Sequence, residues 1–200
     1  QEVKGVLLAT YPQTDMRGDG QVVIVPFGHV TIEIAPAFLS SDRRMFICDT
    51  NDGGSYIPTS LGEEVAALDA ADNQYNGCAR PLIRMLKQWR RHCNVPIRSF
   101  EIERMVVDFL PHATRTHLDY RWWDWLLRDF FWYMQTRANS FVVMPGTGKL
   151  VFVGDAWLSR AQSAYGRAVK ACEFEKENED LSAGTTWQMV FGTMIPASGA

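Results

Sequence analysis

The clearest apolar and polar pattern in the chain lies at residues 82–91. The apolar positions recur at the spacing of one helix face and are Leu82, Met85, Leu86 and Trp89. Three basic residues recur on the opposite face and are Arg84, Lys87 and Arg91. The pattern therefore predicts an amphipathic helix that packs one side into a core and carries three cations on the other.

Shorter patterns before this helix predict a β-rich region of about 60 residues. Val22–Val25 and His29–Ile34 are typical of two strands of a hairpin, with Val30, Ile32 and Ile34 on one face. Residues 46–48 predict another short strand, followed by a polar turn at 51–55. Residues 1–11 fit either the end of a helix or a buried strand, and the pattern does not decide between them.

From Gly62 onward the patterns are mainly helical. Pro81 suits the first position of the basic helix. Ser99 suits the N-cap of a helix from Glu101 to about Leu110. The remaining predicted elements are a helix at 63–76, an aromatic-rich helix at 119–137, a small hairpin at 141–143 and 150–153, a long helix at 156–178 and a short helix at 186–191. We interpret the aromatic strip in the 119–137 helix as core, namely Trp122, Trp123, Trp125, Phe130, Phe131 and Trp132.

Composition narrows the classes of function. Of the 200 residues 46% are hydrophobic, enough for a sizeable core, and the net charge is only −3, so any anion site must be local. The four cysteines lack metal-ligand spacing, and no apolar run approaches a membrane span. We therefore expect a cytoplasmic protein without a membrane partner. The start at Gln1, without a methionine, predicts a fragment of a longer protein.

The basic helix is followed by Ser99 and Phe100. Cations, a hydroxyl at a helix N-terminus and a stacking ring are the components of a nucleoside triphosphate pocket. A solvated basic face beside an N-cap serine explains the same residues, so the local pattern leaves both interpretations open.

The motifs along the chain, taken in order, identify a family resemblance. They are Val30–Phe38, Asp49–Tyr56, Gly154–Trp157, Ala164–Ala168 and Trp187–Gly192, together with the basic helix and Ser99-Phe100. From about residue 18 to about residue 196 they resemble the bacterial CD-NTases, relatives of cyclic GMP-AMP synthase and oligoadenylate synthase. The resemblance implies an α+β fold. Residues 1–60 would be the last strands of a polymerase-β-like nucleotidyltransferase palm, and residues 61–200 a mostly helical lobe like the C-terminal domain of oligoadenylate synthase.

The resemblance also implies site residues. Glu33 matches the third metal-binding carboxylate, which would make it both catalytic and a ligand of Mg²⁺ or Mn²⁺, pointing into a cleft toward Lys87 and Ser99. Lys87 matches the lysine that reaches the triphosphate, Ser99 the contact to the terminal phosphate and Phe100 the ring that stacks on the donor base. The other predicted nucleotide contacts are Arg84, on the cationic face, and Ser55 and Tyr56, on the acceptor side. Without the resemblance, Glu33 fits a solvent-facing strand residue and Phe100 fits the core.

The implied activity is synthesis of a cyclic oligonucleotide from ATP or other NTPs as an antiphage signal. The implied regulator is a ubiquitin-activating-like or HORMA-type protein, and the small tail from Ala197 to Ala200 fits either conjugation or a frayed end without a role. However, no Gly-Ser followed by a carboxylate pair precedes Glu33, since Gly54-Ser55 lies downstream. We therefore expect this chain to be inactive without an N-terminal part of the palm. A linear-product nucleotidyltransferase and a non-catalytic interaction module remain as alternatives.

Overall fold

The computed structural model describes residues 2–41, 44–114 and 120–197. It divides into two compact units, Gln1–Gly62 and Glu63–Ala200. The first unit is β-rich and the second is mainly helical. Within the described residues no helix has the length and apolar character needed to span a membrane.

The first unit begins with helix α1, which decides the open choice at residues 1–11 in favour of a helix. Its strands form two three-stranded antiparallel sheets, β1-β2-β3 and β4-β5-β6. The element bounds are α1 (Glu2–Thr10), β1 (Arg17–Asp19), β2 (Val22–Phe27), β3 (Val30–Ile34), β4 (Ala37–Leu39), β5 (Met45–Asp49) and β6 (Ser55–Thr59).

The predicted hairpin is formed by β2 and β3. Phe27 pairs with Val30 across a two-residue turn, in which Gly28 has a φ of 53°. Such a turn needs positive φ, and glycine adopts it without a steric penalty. The face bearing Val23, Val25 and Ile34 packs against the apolar residues of α1. Helix α1 does not extend over Val30, which is 60% exposed. The face predicted from Val30, Ile32 and Ile34 is therefore only partly buried.

Among its described residues the second unit contains six α-helices, one hairpin and two short 3₁₀ helices, Leu110–His112 and Tyr120–Trp122. Their bounds are α2 (Leu61–Gln74), α3 (Ala79–His92), α4 (Ser99–Phe109), α5 (Trp123–Gln135), β7 (Phe141–Val143), β8 (Leu150–Phe152), α6 (Leu158–Lys176) and α7 (Asp180–Phe191). The hairpin pairs β7 with β8 as predicted. Helix α2 begins two residues before the boundary of the second unit.

The predicted amphipathic helix is confirmed as α3. Leu82, Leu86 and Trp89 are fully buried, whereas Arg84 and Arg91 are exposed. Trp89 packs edge-on against Phe131 of α5, with 5.1 Å between the ring centroids. Helix α3 therefore provides a rigid base for the cations on its outer face.

Several helix starts differ from the prediction, and three of them concern helices of the candidate site or the core. Helix α3 begins at Ala79, so Pro81 is its third residue and not its first. Proline is tolerated there because the first N–H groups of a helix have no partner within the helix, and the N–H that proline lacks is one of them. Helix α4 begins at Ser99 and has Arg98 at its N-cap, so Ser99 is not the cap. Helix α7 begins at Asp180, six residues before the predicted start, because it packs along α6.

The aromatic strip is only partly core. Phe130 and Phe131 are fully buried, but Trp132 is 57% exposed and Trp122 is also exposed. The reason is the helical period, which turns residues two apart toward different faces. The predicted helix start at Asp119 lies outside the described residues, and α5 itself begins at Trp123.

An acidic pair lies where α5, α6 and α7 meet. The Trp187 indole N–H donates to Glu175 Oε1 at 3.1 Å, and both carboxylate oxygens of Asp124 are shielded from solvent. Glu175 remains partly exposed, and partial burial, followed by the hydrogen bond and charge of the neighbouring Asp124 carboxyl, raises the pKa of Glu175 from 4.5 to about 7. The folded state therefore binds a proton in the range between these values that the unfolded chain releases.

We expect the free energy of unfolding to fall as the pH rises from about 5 to about 8, because ionised Glu175 then faces Asp124. Glu175→Gln should remove this part of the pH dependence and should stabilise the chain at pH 8. Urea unfolding of both proteins at several pH values measures the effect, with Glu173→Gln on the exposed surface of α6 as the control. An unchanged pH dependence in Glu175→Gln would contradict the assignment.

Candidate functional site

Lys87 lies on the outer face of α3 and forms an ion pair with Glu103 of α4. The Nζ–Oε1 distance is 2.5 Å, and the lysine side chain is 41% exposed. Helix packing places α3 beside α4, so the partner of Lys87 is set by tertiary contact. Arg84 lies one turn earlier on α3 and is exposed.

Two glutamates, Glu103 and Glu64, place negative charge near Lys87. Burial, followed by repulsion from Glu103, raises the pKa of Glu64 on α2, while Arg104 lowers it. Arg104 itself pairs with Asp108 one turn along α4, at 3.0 Å. An anion that binds Lys87 therefore has to replace one carboxylate and approach a second.

The N-terminus of α4 is organised by Glu101. One Glu101 oxygen accepts the Arg98 backbone N–H at 2.8 Å, and the other accepts Arg98 Nε and Nη2 at 2.9 and 2.5 Å. A glutamate at the third helical position that reaches back to the N-cap is half of a capping box. This arrangement fixes Ser99 as the first helical residue, where free backbone N–H groups favour an anion.

Phe100 is partly buried and has a neighbour on one ring face. The Arg98 guanidinium carbon lies 4.7 Å from the ring centroid. The ring also packs against the main core and lines a small cavity with Leu68, Val107, Met144 and Pro145. Glu103 lines the same cavity, so Phe100 and the partner of Lys87 are neighbours in the helical unit.

Glu33 lies in the β-rich unit, on β3, and is exposed. It pairs with Ile24 of β2, whose other neighbour is Arg17 of β1. Val23 and Val25, the residues on either side of Ile24 in β2, point toward α1. Ile24 and its partner Glu33 therefore lie on the opposite face of the sheet. The structure thus places Glu33 on the surface of its unit.

Ser55 and Tyr56 lie in the other sheet of the same unit. Ser55 pairs with Asp49 and Tyr56 with Cys48 across β5 and β6. Both are exposed, and the Tyr56 ring contacts Phe38 edge-on, with 5.3 Å between centroids. Tyr56 is 68% exposed, so much of its ring stays accessible.

The described residues do not form a complete metal centre. No group of three or more His, Cys, Asp or Glu in residues 2–41, 44–114 and 120–197 is arranged to hold an ion. Glu33 could supply one ligand, whereas a divalent ion held by protein normally needs several oxygen atoms. The residues present therefore fit Mg²⁺ or Mn²⁺ only in part.

Three residues at this site were not predicted from the sequence, namely Arg98, Glu101 and Glu103. Glu101 had a local signal, since it stands at capping-box spacing from Arg98. Glu103 had none, because its pairing with Lys87 depends on how α3 and α4 pack. The predicted binding roles of Lys87, Arg84, Ser99, Phe100, Ser55, Tyr56 and Glu33 stay predictions.

A comparison with protein families matches residues 1–72 to the Second Messenger Oligonucleotide or Dinucleotide Synthetase (SMODS) domain. A comparison with curated proteins gives no match. The SMODS match covers the β-rich unit and nearly all of α2. It supports the resemblance that the motifs predict.

Solved structures share the fold at low sequence identity. CdnC of Escherichia coli MS115-1, solved in a complex with HORMA-deltaN, is 19% identical with a TM-score of 0.71, over 97% of this chain and 70% of that chain. DncV cyclic AMP-GMP synthase of Vibrio cholerae with nonhydrolyzable GTP is 13% identical with a TM-score of 0.76, over 93% and 54%. DncV with the linear intermediate 5′ pppA(3′,5′)pG is 12% identical with a TM-score of 0.77, over 94% and 56%.

These findings confirm the predicted α+β nucleotidyltransferase fold and the resemblance to the CD-NTases. The chain spans little more than half of the DncV chains. The TM-scores establish the shared fold, whereas identities this low do not establish a shared chemistry.

We expect Glu103→Gln to raise the affinity of the chain for inorganic tripolyphosphate, because the carboxylate that competes for Lys87 loses its charge. The gain should be roughly two- to five-fold, as for an exposed ion pair. Isothermal titration calorimetry at low salt measures it. The control is the same substitution on a Lys87→Ala background, where the gain should shrink. A weaker affinity in Glu103→Gln would mean that the carboxylate positions the lysine instead of competing for it.

Proposed function

We propose that this chain, whose residues 1–72 match the SMODS domain and whose fold is that of the bacterial CD-NTases, is the C-terminal part of a cyclic oligonucleotide synthase. The intact enzyme would join ATP, or ATP and another NTP, into a cyclic product that serves as a second messenger. The observation that carries the proposal is Lys87, a cation on a rigid helix that pairs with Glu103, one turn from the N-terminus of a second helix.

The helical unit offers two of the features that bind a triphosphate. Lys87 supplies a localised positive charge, and the first residues of α4 supply backbone N–H groups with favourable polarity. In this proposal the triphosphate replaces Glu103 as the partner of Lys87, and Ser99 contacts the terminal phosphate. Arg84 would add to the positive field from the exposed side of α3.

The β-rich unit would contribute Glu33 as one metal ligand, and Ser55 and Tyr56 near the acceptor nucleotide. Mg²⁺ or Mn²⁺, when bound, would neutralise charge on the reacting phosphate. Since Glu33 alone does not form a centre, the other ligands would have to come from outside the described residues. On this reasoning we expect no turnover from the 200-residue chain by itself.

The wider role that we propose is antiphage signalling in the cytoplasm. CdnC, which shares this fold, has been solved with a HORMA protein, and that supports a HORMA-type regulator for this chain as well. A ubiquitin-activating-like partner acting on the C-terminal tail is the alternative. Residues 198–200 of that tail lie outside the described residues.

A non-catalytic interaction module is the second candidate function. The observation in its favour is that no cluster of metal-binding side chains exists within the described residues. The two candidates differ in their products. Incubating the protein that carries the whole palm with NTPs, followed by phosphatase and mass spectrometry, distinguishes a cyclic product, a linear product and no product, because cyclic products lack a free phosphate end.

Lys87→Ala should weaken nucleotide binding by roughly 10- to 100-fold, because it removes one charge-assisted contact worth on the order of 1.5–3 kcal/mol. Titration of the chain with a nonhydrolysable ATP analogue measures the change. Lys170→Ala, an exposed cation of α6, is the matched control and should bind like the wild type. Equal affinities for wild type and Lys87→Ala would remove the main support for the site.

Glu33→Gln should leave the fold unchanged, since Glu33 is exposed and glutamine is nearly isosteric. In the protein with the whole palm it should lower kcat by orders of magnitude, because a metal ligand loses its charge. Circular dichroism and steady-state product formation measure the two expectations. Asp19→Asn, on an exposed position of β1, is the control. Full turnover in Glu33→Gln would identify Glu33 as an ordinary surface residue.

A further inference from the structure

The Arg98 guanidinium is held in one position at the start of α4. Its Nε and Nη2 donate to Glu101 Oε1 at 2.9 and 2.5 Å. Glu101 is only 3% exposed, and its other oxygen accepts the Arg98 backbone N–H at 2.8 Å. Because these contacts already restrict the side chain, a ligand that binds to it has little further rotamer entropy to remove.

One side of the guanidinium is directed at Phe100, with 4.7 Å between its carbon and the ring centroid. This distance is typical of a cation–π contact. The Phe100 ring is also packed against the core of the helical unit. A planar ligand therefore cannot stack on the ring face that Arg98 occupies unless the arginine first leaves Glu101.

The Arg98 side chain itself remains accessible. It is 59% exposed and lines an open cavity of about 420 Å³. The cavity is also lined by Arg90 and by Phe152, whose ring is half-exposed. This volume falls in the range of small-molecule sites.

The side chains around the cavity favour an anionic ligand that carries a planar group. Glu101 compensates the charge of Arg98, and the Nε of Arg90 donates to the Ile97 carbonyl. A guanidinium plane with one accessible face is a known stacking surface for nucleobases, and a second guanidinium favours a negatively charged ligand. The cavity therefore fits the base of a nucleotide better than a neutral aliphatic compound.

We propose that the exposed face of the Arg98 guanidinium is the surface on which the base of the bound nucleotide stacks, with the Phe100 ring supporting the guanidinium from behind. The inference rests on the proposed function, since it concerns the nucleotide that Lys87 and Ser99 would bind. It replaces the direct stacking on Phe100 that the family resemblance implies. Arg98 becomes a binding residue, and Glu101 and Phe100 become its positioning residues.

A spectroscopic test uses the 200-residue chain. The Nε–H of Arg98 should be observable in ¹H–¹⁵N NMR spectra because Glu101 holds it. Titration with ATP should shift this resonance upfield through the ring current of adenine. Inorganic tripolyphosphate, which has no ring, should not produce that shift. If ATP binds and the Arg98 Nε–H resonance does not respond to the base, the proposal is wrong.

Substitutions test the energetic contribution. Arg98→Lys keeps the charge and loses the plane, so ATP affinity should fall roughly 5- to 100-fold, as for loss of one stacked base, while tripolyphosphate affinity stays unchanged. Phe100→Leu keeps apolar volume behind the guanidinium and should have a smaller effect. Arg160→Lys, at an exposed position of α6, is the control and should change neither affinity. Thermal unfolding checks that each variant is folded.

Each other outcome has a definite meaning. Equal losses of ATP and tripolyphosphate affinity in Arg98→Lys would make Arg98 a phosphate contact and overturn the proposal. Loss of ATP binding in Phe100→Leu, with normal binding in Arg98→Lys, would restore Phe100 as the stacking ring. If wild type binds neither ATP nor tripolyphosphate, the proposed function itself fails. Binding that depends on Lys87 but not on Arg98 leaves the proposed function intact and rejects only this inference.

Discussion

The candidate site depends on one buried carboxylate. Glu101 is 3% exposed, and it accepts both the N-cap N–H of α4 and the Arg98 side chain. A buried carboxylate without such donors would be strongly unfavourable, so the contacts persist together. They fix where α4 begins and therefore where Arg98, Ser99 and Phe100 lie. The start of this helix is thus a rigid feature on which a ligand site can be built.

Glu103 stands two residues further along α4 and has a different role because its environment differs. Its pair with Lys87 is partly exposed, so water screens it and it contributes little to stability. Such a pair keeps the lysine oriented while no anion is bound, and an anion can displace it. The raised pKa of Glu64 indicates that negative charge is already unfavourable nearby. The helical unit therefore combines a rigid helix start with an exchangeable ion pair.

The two units are stabilised differently. The helical unit buries the inner faces of six helices around Trp89, Phe130 and Phe131. Among its described residues, the β-rich unit has a small core with three buried side chains, Met16, Val23 and Val25. A small core leaves sheet faces accessible, and the exposed positions of Glu33, Ser55 and Tyr56 follow from that. Residues on such faces suit contacts with other groups better than they suit packing.

Periodicity and family motifs, both properties of the sequence alone, determined α3 with its cationic face, the β2–β3 and β7–β8 hairpins, and the α+β nucleotidyltransferase fold. Spacing within one helix or hairpin is local, and local spacing is visible along the chain. The tertiary structure alone decided that Lys87 pairs with Glu103, that Arg98 covers one face of Phe100, that Trp132 is exposed and that α7 starts at Asp180. Those features depend on which helices pack together and on how much of each helix its neighbours bury. Neither is visible in the spacing of residues along the sequence.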